Sequence, residues 1–492
     1  MTSSDSDPRT PMPVEACADL QMEPAEMLEL ANRAAELLVE RIQNLPSQEA
    51  WDGEFKQGLE KELMRDPPEH GRPAREVLDA VAGSILPYTL RLDHPRCFGF
   101  VPSASTWAGV VADFLAAGYN ANTITWLVAS GPSQLELVVI DWIRRWVGYP
   151  RTAGGLLTSG GSAAAVDAFV AARERAGHPE RATVYMSDQS HSAQVRAARI
   201  IGVRPEHVRR VASDGHFRLD LAELARAVAD DREAGLSPVA VCANAGAGST
   251  GAIDSLEEMA DYCEDEDIWL HVDAAYGGFA VLTEKGRSLL QGVEHADSIG
   301  LDAHKWLFQP YEAGCLLVKD AATLEDAFAV PHDMLQDTVW GANHPNFADR
   351  GLQHSRSFRA LKIWFSVQTY GLSAFRRAVS LGMALAGRAE RYIRESPLLE
   401  ILTPASLGIV CFRVNARDAG VDEPSVDGIN REVLARLFWD DRAFISSTNL
   451  KGTFSLRMCI VNHTTTWDDV RETLEAIERF GTEALDQALR GE

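Results

Sequence analysis

The sequence predicts an α/β protein built on a mainly parallel sheet with helices on both faces, and three observations carry that prediction. Between about residues 82 and 382, short apolar runs alternate with stretches of helical spacing, as βαβ units demand. Polar or glycine-rich turns stand directly after several of those runs, at the carboxyl ends of strands where an open sheet forms its ligand crevice. On either side lie an N-terminal stretch with helical spacing and little strand character, and a C-terminal stretch in which two strand-like runs enclose a helix.

Taken in order, residues 1–13 are rich in Ser, Asp and Pro and lack the basic start and apolar centre of a signal peptide, so residues 1–23 are expected to form a disordered tail. Residues 24–81 space Met27, Leu30, Ala31, Ala34, Leu37 and Leu38 as one helical face does, which predicts a helical arm.

The first chemical turn is Ser159-Gly160-Gly161-Ser162, after an apolar run and before an alanine-rich helix. Free backbone N–H groups and the positive end of the helix dipole meet there, and glycine lets a phosphate come close. No lysine follows the glycines, so this is not a Walker loop, and Ala164 stands where a nucleophile elbow would have its last glycine. A plain capped helix gives the same pattern.

His191 follows the strand-like run Thr183-Val184-Tyr185 in another polar turn, placed to stack on a flat ring or to handle a proton. Gly246, Gly248 and Gly251 match the dinucleotide fingerprint, which would make the chain an NAD-dependent dehydrogenase. The fingerprint's last glycine packs inside the first helical turn, however, and here residues 252–255 intervene, with Asp254 or Ser255 reading as the helix cap. The loop is better read as a pocket wall in which Ser249 or Thr250 approaches a ring oxygen.

Asp273 comes at the end of the apolar run Ile268-Trp269-Leu270 and its continuation, followed by small residues, so a ring can lie against Ala275 while the carboxylate holds a ring nitrogen protonated. Lys305 lies 32 positions later, after the run Ser298-Ile299-Gly300-Leu301 and beside His304 and Trp306. An amine there, partly buried beside other donors, is expected to titrate below the ordinary ~10.4 and reach the neutral form that makes a Schiff base. Beyond a long helical stretch over residues 361–395, strands are expected at 408–414 and 455–461 and a helix at 466–480. The expected division is a large domain over 82–382 and a small α+β domain over 383–492.

Phosphate turn, histidine, ring-binding aspartate and lysine occur in the order and spacing of the pyridoxal-phosphate group II amino-acid decarboxylases, which the chain resembles over roughly residues 25–480. The resemblance implies the aspartate aminotransferase-like fold type I with a seven-stranded sheet, pyridoxal 5'-phosphate as cofactor, and a homodimer around whose partner subunit the N-terminal arm wraps. It implies Lys305 as the Schiff-base residue with Asp273 and His191 as the other catalytic groups. Gly161 and Ser162 would hold the phosphate, together with Asp302 and His304, and His191 would stack on the ring face opposite Ala275. The substrate pocket would draw on Leu92, Phe100, Val101, Pro102 and Ile124, whose apolar character favours an aromatic amino acid over glutamate. An ungapped count back from the segment Ser355-Arg356-Ser357-Phe358-Arg359 puts Phe347 where the family's mobile loop carries a proton-donating tyrosine. Phenylalanine donates no proton, and in this family that replacement accompanies oxygen-dependent aldehyde formation instead of amine formation; His332, His344 or His354 are the other candidate donors. A pyridoxal-phosphate aminotransferase shares the fold and is the remaining enzymatic alternative.

The composition agrees with such an enzyme. At 492 residues with 46% hydrophobic content the chain exceeds one ordinary domain. A formal charge of −24 argues against nucleic acid or an anionic membrane as partner, and no apolar run approaches the ~18 residues of a membrane span. Seven cysteines without a Cys-x-x-Cys pair read as buried thiols of a cytoplasmic protein, and the site calls for no metal.

Overall fold

The computed structural model describes residues 20–330, 344–416, 420–440 and 442–490. The chain forms two compact units, one ending at Leu90 and one beginning at Arg91. In the first, the helices Pro24–Asn44, Lys56–Leu63 and Ala74–Ser84 bury none of their residues, although Pro24–Asn44 is amphipathic as its spacing requires. Its ties to Ala74–Ser84 include the exposed pairs Arg33–Asp79 and Arg75–Glu29, a class of contact that contributes little to stability.

The second unit is organised by a seven-stranded sheet of β1 (Gly154–Thr158), β2 (Ala182–Ser187), β3 (Val208–Val211), β4 (Ser237–Asn244), β5 (Trp269–Asp273), β6 (Ser298–Asp302) and β7 (Gly314–Val318), in the order β1-β7-β6-β5-β4-β2-β3. β7 runs antiparallel to both β1 and β6, and every other pairing is parallel. Two antiparallel steps restore the direction of β1 to that of β6, so the carboxyl ends of β1, β2, β4, β5 and β6 share one edge of the sheet. The central strands read as continuous apolar runs because both faces are covered; β2 and β6 are buried along their whole length.

A second sheet contains β8 (Leu399–Ser406), β9 (Ile409–Val414), β10 (Ser446–Leu450) and β11 (Thr453–Cys459), all antiparallel in the order β10-β11-β9-β8. Phe412 and Leu456 from this sheet pack with Val433 of helix Glu423–Trp439 and Ile477 of helix Trp467–Arg490. The helical stretch expected over 361–395 is two helices, Ala360–Tyr370 and Leu372–Glu395, broken at Gly371 with φ +71°. The second of these supplies Val379 and Met383 to the core of the large sheet and Leu385 and Ala386 to that of the small one. The expected boundary at 382 and 383 therefore falls inside a continuous helix. The six cysteines among the described residues are free and buried, and among those residues no helix is long and apolar enough to cross a membrane.

Candidate active site

The shared strand edge opens into a cleft of about 710 Å³. Lys305 enters it from the one-turn helix Ala303–Trp306, which follows β6 without a break. That turn is fixed from behind. The buried Trp306 stacks on Tyr276 at 5.3 Å between ring centroids, and Ser103 Oγ donates to the Lys305 carbonyl at 2.8 Å. Lys305 Nζ lies 2.9 Å from Asp302 Oδ2. Burial alone would lower the amine's proton affinity; the charge of Asp302 and its hydrogen bond, aided by Asp273, overturn this and raise it above the ordinary lysine value. The expectation of a depressed amine is thus corrected: in this geometry the lysine is held as an ammonium by its carboxylate neighbour.

His304 accepts the Ala313 N–H on Nδ1 at 3.2 Å, which leaves its proton on Nε2, 3.5 Å from Asp302 Oδ2. Burial lowers its affinity for a second proton and outweighs the opposing charge of Asp302, so the ring is neutral.

Asp273 closes β5 and pairs in register with Gly300 of β6, which sets the carboxylate one strand away from Lys305. Its Oδ1 accepts from Ala275 N at 3.2 Å and its Oδ2 from Gln194 Nε2 at 2.8 Å. His271, two residues earlier on the same strand, is buried in the core against Ser298 and Phe169, and burial pushes it down to about 4.

The glycine turn expected to hold a phosphate leads into a helix. Helix Gly161–Arg175 starts at the cleft, and Ala163 and Ala164 donate to the Gly160 carbonyl, leaving the N–H groups of Gly161 and Ser162 directed to the opening. A side chain at Gly161 would place its Cβ 3.0 Å from that of Ala275, so glycine keeps the cradle open. His191 is the cap of helix Ser192–Ile200, its Nδ1 accepting from Ala193 N at 3.2 Å, and it lines the same cleft.

The other motif residues are sorted by the fold. Gly246, Gly248 and Ser249 line the cleft, whereas Thr250 is buried with its hydroxyl on Ala252 N. Helix Leu256–Asp265 begins five residues after Gly251, so no helix opens on the glycines and the dinucleotide reading fails. Nor does Asp254 cap it: its carboxylate is buried, accepts from Leu219 N and Asn244 N, and is pushed up to about 6 by that burial.

Of the expected pocket residues, Leu92, Phe100 and Val101 line this chain's cleft, while Pro102 and Ile124 do not. Phe347 is a correction. It is 0% exposed, in the 3-10 turn Phe347–Asp349, with the Arg356 guanidinium 4.7 Å from its ring centroid, and it faces the core instead of a substrate. Residues 347–356 form a packed anchor, joined through Arg356 to the buried Glu136. His344 stacks on Trp126 at 4.4 Å and His354 is exposed; His332 lies outside the described residues.

Among the cleft residues that escaped the sequence reading are Gln194, Tyr311 and Arg457. Gln194 comes from the buried face of helix Ser192–Ile200, and the Tyr311 ring lies 4.5 Å from that of His304, tilted by 37°. Arg457 reaches in from β11, donating to the Phe100 carbonyl at 2.7 Å and to Ser446 Oγ at 3.1 Å. A charged residue inside an apolar strand was the available signal for Arg457.

Several buried polar atoms here have no partner, among them Asp302 Oδ1, Gln194 Oε1 and Arg457 Nε. Such groups are expensive unless a ligand meets them. Together with the helix N-terminus, the carboxylate at β5 and the amine at β6, they suit a phosphorylated aromatic aldehyde whose ring nitrogen carries a proton.

Comparison with known proteins agrees. Residues 57–415 match the model of the pyridoxal-dependent decarboxylase conserved domain. An aromatic-L-amino-acid decarboxylase of Bacillus atrophaeus is 36% identical over 469 residues, covering 94% of this chain and 97% of its own. A phenylacetaldehyde synthase of Arabidopsis thaliana is 32% identical over 436 residues, covering 85% and 88%. Among solved structures, Oryza sativa TDC with PLP and tryptamine superimposes with a TM-score of 0.90 at 28% identity, over 97% of this chain and 100% of that one.

Proposed function

The chain belongs to the pyridoxal-dependent decarboxylase family, and from that premise we propose that it removes the α-carboxylate of an aromatic L-amino acid, releasing carbon dioxide and the amine. The observation that carries this reading is the placement of Lys305, Asp273 and the free N–H groups of Gly161 and Ser162 around one cleft whose entrance is walled by Leu92, Phe100 and Val101. Relatives named for aromatic substrates over nearly the whole chain support it.

When bound, pyridoxal phosphate supplies a carbonyl carbon for an amine and a ring that accepts an electron pair. The protein's own groups do the rest. The N–H groups of Gly161 and Ser162 would hold the phosphate, and the neutral His304 would add a donor. Asp302 acts on Lys305 instead of on the phosphate, since two anions side by side repel; it takes and returns the proton that the amine must lose to react. Asp273 would hold a proton on the ring nitrogen, and His191 and Ala275, which line the same cleft, would pack against the ring. The apolar side chains of Leu92, Phe100 and Val101 would disfavour the charged substrate carboxylate beside them. By holding the cofactor at its phosphate and ring-nitrogen ends, these residues would set the orientation of the bond to be broken.

The family is assembled here as a homodimer in our reading. On helix Trp107–Tyr119 the side chains of Phe114, Leu115 and Tyr119 are exposed, as are Leu127, Val128 and the cleft-lining Phe100, an apolar surface that a second copy would cover. Sedimentation of the purified protein tests this.

A second reading is favoured by the phenylacetaldehyde synthase relatives: oxygen-dependent conversion to the aldehyde. The buried Phe347 gives it no support. Incubating holoenzyme with each of the twenty amino acids while measuring carbon dioxide, amine, aldehyde and hydrogen peroxide tests both. Stoichiometric amine from aromatic substrates is expected; aldehyde with peroxide would replace the first reading with the second, and no carbon dioxide would end both.

A further inference from the structure

We propose that Gln194 is a positioning residue for Asp273, fixing the rotation of the carboxylate that would meet the ring nitrogen and keeping its own carbonyl oxygen for a donor on the bound cofactor or substrate. This rests on the cofactor reading above and assigns a role to a residue that no motif marked.

Gln194 Nε2 lies 2.8 Å from Asp273 Oδ2. An ionised carboxylate only accepts, so the amide must present its NH₂ to Asp273 and its Oε1 elsewhere. The other carboxylate oxygen is taken by Ala275 N at 3.2 Å. With one protein donor on each oxygen the carboxylate cannot swing, and its remaining lone pairs face the cleft in a set direction. A carboxylate on a single bond to Cβ, tied at one oxygen only, would rotate and spread that direction.

The side chain that does this is held for the task. Gln194 is 2% exposed on a helix face otherwise made of Ala193, Ala197 and Ala198, so it is the one long side chain on that face and reaches across to β5. Its backbone N–H bonds the His191 carbonyl at 3.0 Å, and His191 caps the same helix. Oε1 is buried with no partner. If Gln194 served packing alone, an apolar side chain of similar size would fill the space without stranding that oxygen. An orphaned acceptor beside a ring-binding carboxylate points to a donor that arrives with the ligand.

The test uses the full-length protein with pyridoxal phosphate as probe and the variants Gln194→Leu and Gln194→Glu. For Q194L the dissociation constant of the cofactor is expected to rise about tenfold, the loss of one hydrogen bond to a charged group, with a displaced pH midpoint of the visible absorbance. In Q194E the new carboxyl donates to Asp273 when protonated and repels it when ionised. Cofactor affinity near that of the wild type at mildly acid pH, falling as pH rises, is therefore expected. A residue that only fills space would change the unfolding temperature of the cofactor-free protein without creating this pH dependence. Wild-type affinity and an unchanged absorbance titration in both variants overturn the inference alone. A wild-type protein that takes up no cofactor overturns the cofactor reading and the inference with it.

Discussion

The side chains of Lys305 and Asp302 form an ion pair 2.9 Å long across a single turn at the end of β6, with Asp302 buried and the lysine at the floor of the cleft. The pair raises the lysine's proton affinity above its ordinary value of ~10.4, so its contribution to stability is fully present below that pH and is lost only as pH rises through the higher folded value. The nucleophile is therefore stored in its unreactive form and must hand a proton away before it can attack.

Replacing Asp302 by Asn removes the charge that holds the ammonium while leaving burial to depress it. The pH dependence of cofactor capture by the apoprotein is expected to move toward lower pH, with capture at pH 7 faster by about tenfold for each unit of displacement. Stopped-flow absorbance after mixing with pyridoxal phosphate reads this directly; an unmoved profile would show that Asp302 does not control the amine.

Asp273→Asn keeps the shape and can still accept from Ala275 N, but turns an NH₂ toward one of its two donors and removes the charge offered to the ring nitrogen. Losing one partner of such a pair costs about 3–5 kcal/mol, so cofactor affinity is expected to fall by at least ~100-fold. Equilibrium titration of the apoprotein checks it, and a loss below about threefold would place the ring nitrogen elsewhere.

Asp167 lies on the far side of helix Gly161–Arg175, where its Oδ1 accepts from Leu352 N at 3.2 Å, and burial pushes it up to about 7. A carboxyl whose folded value lies above the ordinary ~3.9 binds its proton more tightly in the folded state, so stability falls as pH rises between those values and stays reduced above 7. Asp167→Asn can still accept from Leu352 without carrying the charge. It is expected to be more stable than the parent at pH 8, by roughly 1–4 kcal/mol, and equal to it near pH 4. Thermal unfolding at the two pH values tests the sign.

Glu136 and Arg356 form a fully buried pair at 2.5 Å that also takes the Leu157 N–H and lies under Phe347. Glu136→Gln leaves a buried guanidinium without its counter-charge and is expected to destabilise the protein by about 3–5 kcal/mol. Denaturant unfolding checks this; a change under about 1 kcal/mol would contradict it.

What the sequence disclosed and what it hid follow one physical division. Strands β2, β4, β5 and β6 were legible because burial on both faces writes an uninterrupted apolar run, and the turns after them were legible because phosphate and ring binding constrain consecutive residues. β8 and β10 were not. Leu399–Ser406 carries Pro404 and register irregularities at the edge of its sheet, and Ser446–Leu450 is polar and half-exposed. Gln194 and Arg457 were missed because they meet Asp273 and Phe100 only through tertiary folding, across 79 and 357 positions of chain. The burial of Phe347 was invisible for the same reason, since its partner Arg356 belongs to a buried ion pair that no local pattern announces.

The central claim is that Lys305 is the residue that joins the cofactor. Reducing the yellow holoenzyme with borohydride and locating the pyridoxyl group by peptide mass spectrometry tests it most directly. The expected result is a single modification on the peptide containing Lys305, absent from Lys305→Ala. A modification on any other lysine, or none in a protein that has taken up the cofactor, would contradict it.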